Sequence, residues 1–141
     1  MKRSYVVALV LLVMVTLVMT GCARKKTTTA VQADLQRVHF DFDRSNIKSE
    51  YQGTLASNAK WMQANANTNV TIEGHCDERG SVEYNIALGD RRANSTKSYL
   101  KNLGVSATRM NTISYGKERP LCTEHNESCW WRNRRADFVA K

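Results

Sequence analysis

The stretch EGHCDERGSVEYNIALGDRRA, residues 73–93, decides how this chain folds. Its left edge completes an apolar alternation, NVTIEGH over 69–75, in which Val70 and Ile72 share one face. A period of two is the pattern of a strand. Beyond a glycine-containing loop, 77–82, a long helix runs from about Val82 to Asn102 and stops at Gly104, a C′ glycine. A strand, a tight loop and a helix rich in carboxylates and guanidinia therefore follow one another without interruption.

The neighbouring segments extend this unit in both directions. QRVHFDF, residues 36–42, reads as a strand with Val38, Phe40 and Phe42 on one face and His39 and Asp41 on the other. Ser45 and Ser49 offer N-caps for a helix over 47–65, where Tyr51, Leu55, Ala59 and Met62 recur at helical spacing beside Trp61. NTISYG, 111–116, is a further strand; ESCWWRNRR is a short helix; and ADFVA, 136–140, closes the sheet. The order β-α-β-α-β-(α)-β implies crossovers packed on one sheet. The expected fold over 36–141 is an α/β (α+β) sandwich, a four-stranded mixed sheet with helices mainly on one face.

The amino-terminal segment has a different character. Lys2 and Arg3 precede an apolar run from Tyr5 to Met19, and Thr20, Gly21 and Cys22 follow. A basic tip, a short apolar stretch and small residues before a cysteine have the layout of a bacterial lipoprotein signal. Residues 1–21 are then a signal peptide, Cys22 carries the covalent lipid, and 22–35 form a flexible tether. Met19 stands where that pattern usually has Leu, and an uncleaved N-terminal anchor is the alternative. Ala23 replaces the Asp that tends to retain lipoproteins at the inner membrane, which implies the outer membrane, with the domain facing the periplasm. Removing Lys2 and Arg3 leaves 19 basic against 13 acidic residues, a net +6. Several of those positive charges lie in the tether, and no basic stripe is interleaved with aromatics, so nucleic acid is not the expected partner.

The central stretch admits several chemistries. His75-x-Asp77 is a weak metal-ligand pair with nothing in the sequence to complete a three-ligand catalytic site, and His75 reads instead as a satisfied histidine at a strand end. Adjacent strand residues point to opposite faces, so His75 cannot activate the thiol of Cys76, which reads as a buried free cysteine. Cys122-x2-His125-x3-Cys129 could be a small zinc knuckle, but an oxidising compartment favours a Cys122–Cys129 disulfide. Asn85, Leu88 and Arg92 share one stripe of the long helix, with Asp77 in the loop leading in and Gly74 and Gly80 letting that loop fold tightly. A carboxylate and a guanidinium facing one cleft suit a zwitterion: the Arg fork takes a carboxylate and the Asp an ammonium. An internal Asp77–Arg92 salt bridge is the bland alternative.

VHFDFDRSNI, IEGHCDERGSVEYNIALGDRRA, ISYGKERP and NRRADF together resemble the OmpA-like (OmpA C-terminal) family over about 36–141. The D-E-R-G-x-x-E-Y-N-I-x-L-G run is that of the lipoproteins within it. The resemblance implies non-covalent binding of the meso-diaminopimelate of peptidoglycan stem peptides, with no catalysis and no cofactor other than the lipid on Cys22. Asp77 and Arg92 match the family's ligand-gripping Asp and the second Arg of its R-R pair, while Phe42 and Asp43 match residues lining the same pocket. Arg91 is structural, facing Tyr84, and Cys76 stands where relatives carry Thr, Ala or Ser. The resemblance also implies two Tol-system partners, the periplasmic propeller protein TolB and the inner-membrane protein TolA. Through them the lipoprotein would link outer membrane to wall and help constrict it at division. A wall-binding lipoprotein outside the Tol system and a metal-dependent hydrolase using His75 and Asp77 are the competing readings.

Overall fold

In the computed structural model, residues 35–141 are described. The expected signal peptide at 1–21, the lipid-bearing Cys22 and the tether up to residue 34 lie outside them. Strand β1 is Val38–His39, and a 3₁₀ turn at Ser49–Tyr51 runs into helix α1, Gln52–Ala64. Strand β2, Val70–His75, leads to helix α2, Val82–Asn102, and strand β3 is Met110–Gly116. Helix α3, Glu127–Asn133, precedes strand β4, Arg135–Ala140. The sheet order is β1-β4-β2-β3. β2 and β3 are parallel, joined by α2 as the crossover, and β4 runs antiparallel to both β1 and β2. This is the α+β sandwich expected from the order of elements.

Alternation along the strands puts Val38, Val70, Ile72, Met110 and Ala136 on the face that the helices cover. Leu55, Ala59 and Met62 of α1 and Ala93 and Leu100 of α2 complete this core. Each large side chain removed from water there contributes about 1.5–3 kcal/mol. The chain reverses cleanly after α2: Gly104 at φ +91 lets its N–H bond Lys101 O and lets Val105 N–H reach Leu100 O. The other sheet face is polar, with Arg37 and Arg135 pairing Asp137 at 3.0 and 2.7 Å.

Four local expectations are corrected. Leu35 belongs to the domain and not to the tether, because it packs on the core and Gln36 exchanges two backbone bonds with the Asn58 side chain. β1 spans two residues only, and Phe42 is 56% exposed instead of facing the core. The strand ends in a turn, Arg44 N–H to Asp41 O, with Asp43 in the left-handed region at φ 55. Neither Ser45 nor Ser49 caps α1: Lys48 and Tyr51 hold the cap positions without side-chain bonds. Gly74 does not serve the loop. It lets α2 lie close against the sheet, since a Cβ there would fall 1.9 Å from Gly89 O. Backbone on both sides leaves nothing to yield. Gly74→Ala should therefore destabilise the domain by at least about 3 kcal/mol, the upper range for an overpacked core, read as a shifted urea midpoint.

Candidate functional site

Three segments meet at one end of the sheet: the turn after β1, the loop after β2 with the first turns of α2, and the residue after α3. They enclose a pocket of about 200 Å³ lined by Phe42, Asp43, Cys76, Asp77, Arg79, Gly80, Tyr84, Asn85, Leu88, Arg92 and Arg134. All six expected site residues line it. The α2 stripe places Asn85, Leu88 and Arg92 on one buried side of the helix. Ser81 caps that helix by accepting from Tyr84 N–H, which fixes where the stripe begins.

Asp77 is the charged floor, 4% exposed. Arg79 binds it with a fork, Nε to Oδ1 at 3.2 Å and Nη2 to Oδ2 at 2.6 Å, and donates its backbone N–H to Oδ1 at 3.1 Å. Arg134 Nη1 adds a contact to Oδ2 at 3.3 Å. Burial alone would push this carboxyl's pKa up; the Arg79 and Arg134 hydrogen bonds outweigh it and hold the pKa below the usual range. The internal partner of Asp77 is therefore Arg79 with Arg134, not Arg92.

Arg92 has another task. Its side chain is 0% exposed, and Nε, Nη1 and Nη2 donate to Arg44 O at 2.8 Å, His75 O at 2.8 Å and Asp41 O at 3.1 Å. A guanidinium has five N–H donors, so three hold backbone and two remain. The fork expected to take a ligand carboxylate thus has most of its donors on backbone, and this arginine builds the pocket wall by pinning the β1 turn to the end of β2. Asn85 is likewise a brace, its Nδ2 donating to Arg79 O at 2.9 Å and Ser81 O at 3.0 Å. Asp43 accepts from Tyr84 Oη across the rim. The Arg79 guanidinium lies 4.0 Å from the Phe42 ring and 4.1 Å from Trp130.

Arg79, Tyr84 and Arg134 were not singled out by sequence reasoning. Arg79 sits two residues after Asp77 in the decisive stretch, and a turn that short lets one side chain fold back on the other. Nothing local signals that Arg134 reaches Asp77.

The remaining candidates separate. His75 does not line the pocket; it stacks on Tyr115 at 5.5 Å, 2% exposed, and neither ring nitrogen has a hydrogen-bond partner among the described residues. The satisfied histidine expected there is thus an orphaned one, its Nε2 3.8 Å from both Glu73 and Asp137. Cys76 is free and buried, its Sγ donating to Asn85 O, and burial pushes the thiol up to about 11. Cys122 and Cys129 form a disulfide. Arg91 lies over Tyr84 at 5.9 Å.

The OmpA family's sequence model matches residues 39–134, and the chain belongs to the OmpA family. A relative in Rhizobium meliloti (strain 1021), named peptidoglycan-associated lipoprotein, is 44% identical, with 90% of this chain and 86% of the relative covered. A relative of the same name in Pasteurella multocida (strain Pm70) is 47% identical over 107 residues, covering 73% and 71%. The crystal structure of the peptidoglycan-associated lipoprotein from Burkholderia pseudomallei superimposes with a TM-score of 0.73 at 40% identity, covering 75% of this chain and 90% of that one. The C-terminal domain of Helicobacter pylori MotB shares the fold, with a TM-score of 0.70 at 18% identity over 75% of this chain and 84% of that one. The relatives in Rhizobium and Pasteurella are named for association with a polymer, not for a reaction.

Two outcomes follow from this geometry. Lysine cannot reproduce a three-way fork, so Arg92→Lys should lower unfolding free energy by about 3 kcal/mol or more as buried carbonyls lose partners; denaturant titration reads it directly. His75, pushed down to about 4 by burial, stays neutral in the fold while its unfolded counterpart takes a proton near 6.5. Its contribution is complete above pH 6.5 and falls away by roughly 3 kcal/mol as pH drops to 4. Urea midpoints across that range should fall, and His75→Gln should flatten the slope.

Proposed function

We propose that this chain is an envelope lipoprotein whose domain binds peptidoglycan non-covalently, recognising meso-diaminopimelate of the stem peptide in the Asp77 pocket. The observation carrying this is the Asp77–Arg79 pair. Within one small pocket two carboxylates, Asp43 and Asp77, face three guanidinia, Arg79, Arg92 and Arg134. A ligand with one charge would leave a buried partner uncompensated. A zwitterionic end exchanges evenly: its ammonium takes Asp77, and its carboxylate takes the fork that Arg79 releases, with the spare N–H groups of Arg92 and the apolar wall of Leu88 beside it. Phe42, exposed at the rim, covers the aliphatic part of the ligand.

The names of the relatives support the polymer. In this reading the lipid on Cys22 holds the chain in the outer membrane with the domain facing the periplasm, so binding ties that membrane to the wall. Partnership with TolB and TolA, and outer-membrane constriction at division, complete the proposal; wall binding outside the Tol system is the alternative, and loss of TolB capture by the purified protein would select it.

Calorimetric titration of the purified protein with two muropeptides, one containing meso-diaminopimelate and one containing lysine, tests the central claim. Lysine lacks the terminal carboxylate and forfeits a charge-assisted bond, so its affinity should be lower by at least about tenfold. Equal affinities would remove the zwitterion from the reading, and Asp77→Asn, which loses the ammonium contact that both peptides share, should weaken the two together.

A further inference from the structure

Glu78 and Arg79, at the tip of the ligand loop, are held from outside by a part of the chain that lies beyond the pocket wall. The His125 imidazole approaches both carboxylate oxygens of Glu78, Nδ1 at 2.7 and 2.8 Å. Trp130 Nε1 donates to Glu78 Oε1 at 2.7 Å, while the same indole carries the Arg79 guanidinium on its ring. The Cys122–Cys129 disulfide closes the segment that bears His125 and ends one residue before Trp130. Asn133 fixes the segment's other edge, its Oδ1 accepting from Leu121 N–H at 2.8 Å and its Nδ2 donating to Cys122 O at 2.7 Å.

The loop itself has little of its own to hold it. Apart from Asn85 and the Asp77 turn, its tip is fastened by Lys117, whose Nζ donates to Gly80 O at 2.6 Å. Without Trp130 the Arg79 guanidinium would keep its bonds to Asp77 but stack on Phe42 as its one ring, and that ring is half exposed. A cation between two rings loses rotational freedom at little desolvation cost, and its fork then stays aimed along one line. The disulfide restricts the residues that lead into the indole.

We propose that the disulfide-closed segment Cys122–Cys129 and Trp130 brace the ligand loop, with Trp130 and Glu78 acting as positioning residues that hold Arg79 for the incoming carboxylate. This rests on the reading of the Asp77 pocket as the ligand site. The brace touches the loop and not the ligand, so its removal should weaken binding without altering which ligand is preferred.

The test uses the full-length chain in detergent micelles, titrated with the diaminopimelate muropeptide, with folding checked by circular dichroism. Trp130→Ala should weaken binding about two- to fivefold, the loss of one exposed cation–π contact. Trp130→Phe keeps the stack and should recover most of that loss. Cys122→Ser/Cys129→Ser should weaken binding similarly, and in it and Trp130→Ala the Arg79 amide, bonded to Asp77 Oδ1, should exchange its hydrogen faster. Unchanged or tighter binding in folded Trp130→Ala overturns the proposal, as does unchanged Arg79 exchange. If the double variant does not fold, Trp130→Ala decides alone. If the wild-type protein does not bind the muropeptide, the ligand reading fails, and the exchange rates still decide whether the segment braces the loop.

Discussion

A single buried guanidinium holds this site together. Arg92 reaches from the third turn of the crossover helix to carbonyls of Asp41, Arg44 and His75. Those three oxygens belong to two chain segments that do not pair as strands, since β1 ends at His39 and β2 at His75. Together with Tyr84 on Asp43 and Arg134 on Phe40, these bonds set the height of the β1 turn above the sheet. With the guanidinium in place, Phe42 and Asp43 stand at the rim, opposite Tyr84 and Arg79. The same residue explains why α2 must lie so near β2: Gly74 and Gly89, meeting backbone to backbone, let the arginine start close enough to reach.

The excess of positive charge takes on a different meaning once the arginines are located. Arg92, Arg134 and Arg135 are all buried, and each donates to at least one backbone carbonyl. Arg109 does the same at the end of α1, binding Met62 O, Asn65 O and Thr68 O. A planar fork with five donors suits carbonyls that no strand or helix satisfies. These four arginines therefore serve loops and helix ends, and are not displayed to a polyanion.

Where the sequence carried a strong local period, it could be read closely. The helix from Val82 to Asn102 matches its expected bounds and the strand expected over 69–75 begins one residue later, at Val70, because alternation and a C′ glycine agree there. β1 was overextended because its pattern continues through Phe42, while the turn that stops it depends on Arg92, some fifty residues away. Part of the pocket's membership was legible from one helical stripe and one loop, which mark Asn85, Leu88, Arg92 and Asp77, while Phe42 and Asp43 rest on the family resemblance. The pairing inside it was not: Arg79 and Arg134 compete with Arg92 for the role of partner to Asp77, and spacing cannot rank them. His75 shows the reverse limit, since a histidine at a strand end looks satisfied until its neighbours are known to stand too far off.

The shortness of β1 has a mechanical consequence. The chain enters the domain at Leu35 and arrives at Phe42 and Asp43, on the rim of the pocket, after only a few residues. A pull applied at Leu35 and resisted by something seated in the pocket would pass through that segment to the residues that grip the ligand. The bonds in its path are the two-residue pairing with β4, Arg134 Nε on Phe40 O and the Arg92 fork. Tension would thus enter along one edge of the sheet, as through the eye of a hook, and meet the core where Leu35, Val38 and Phe40 pack into it.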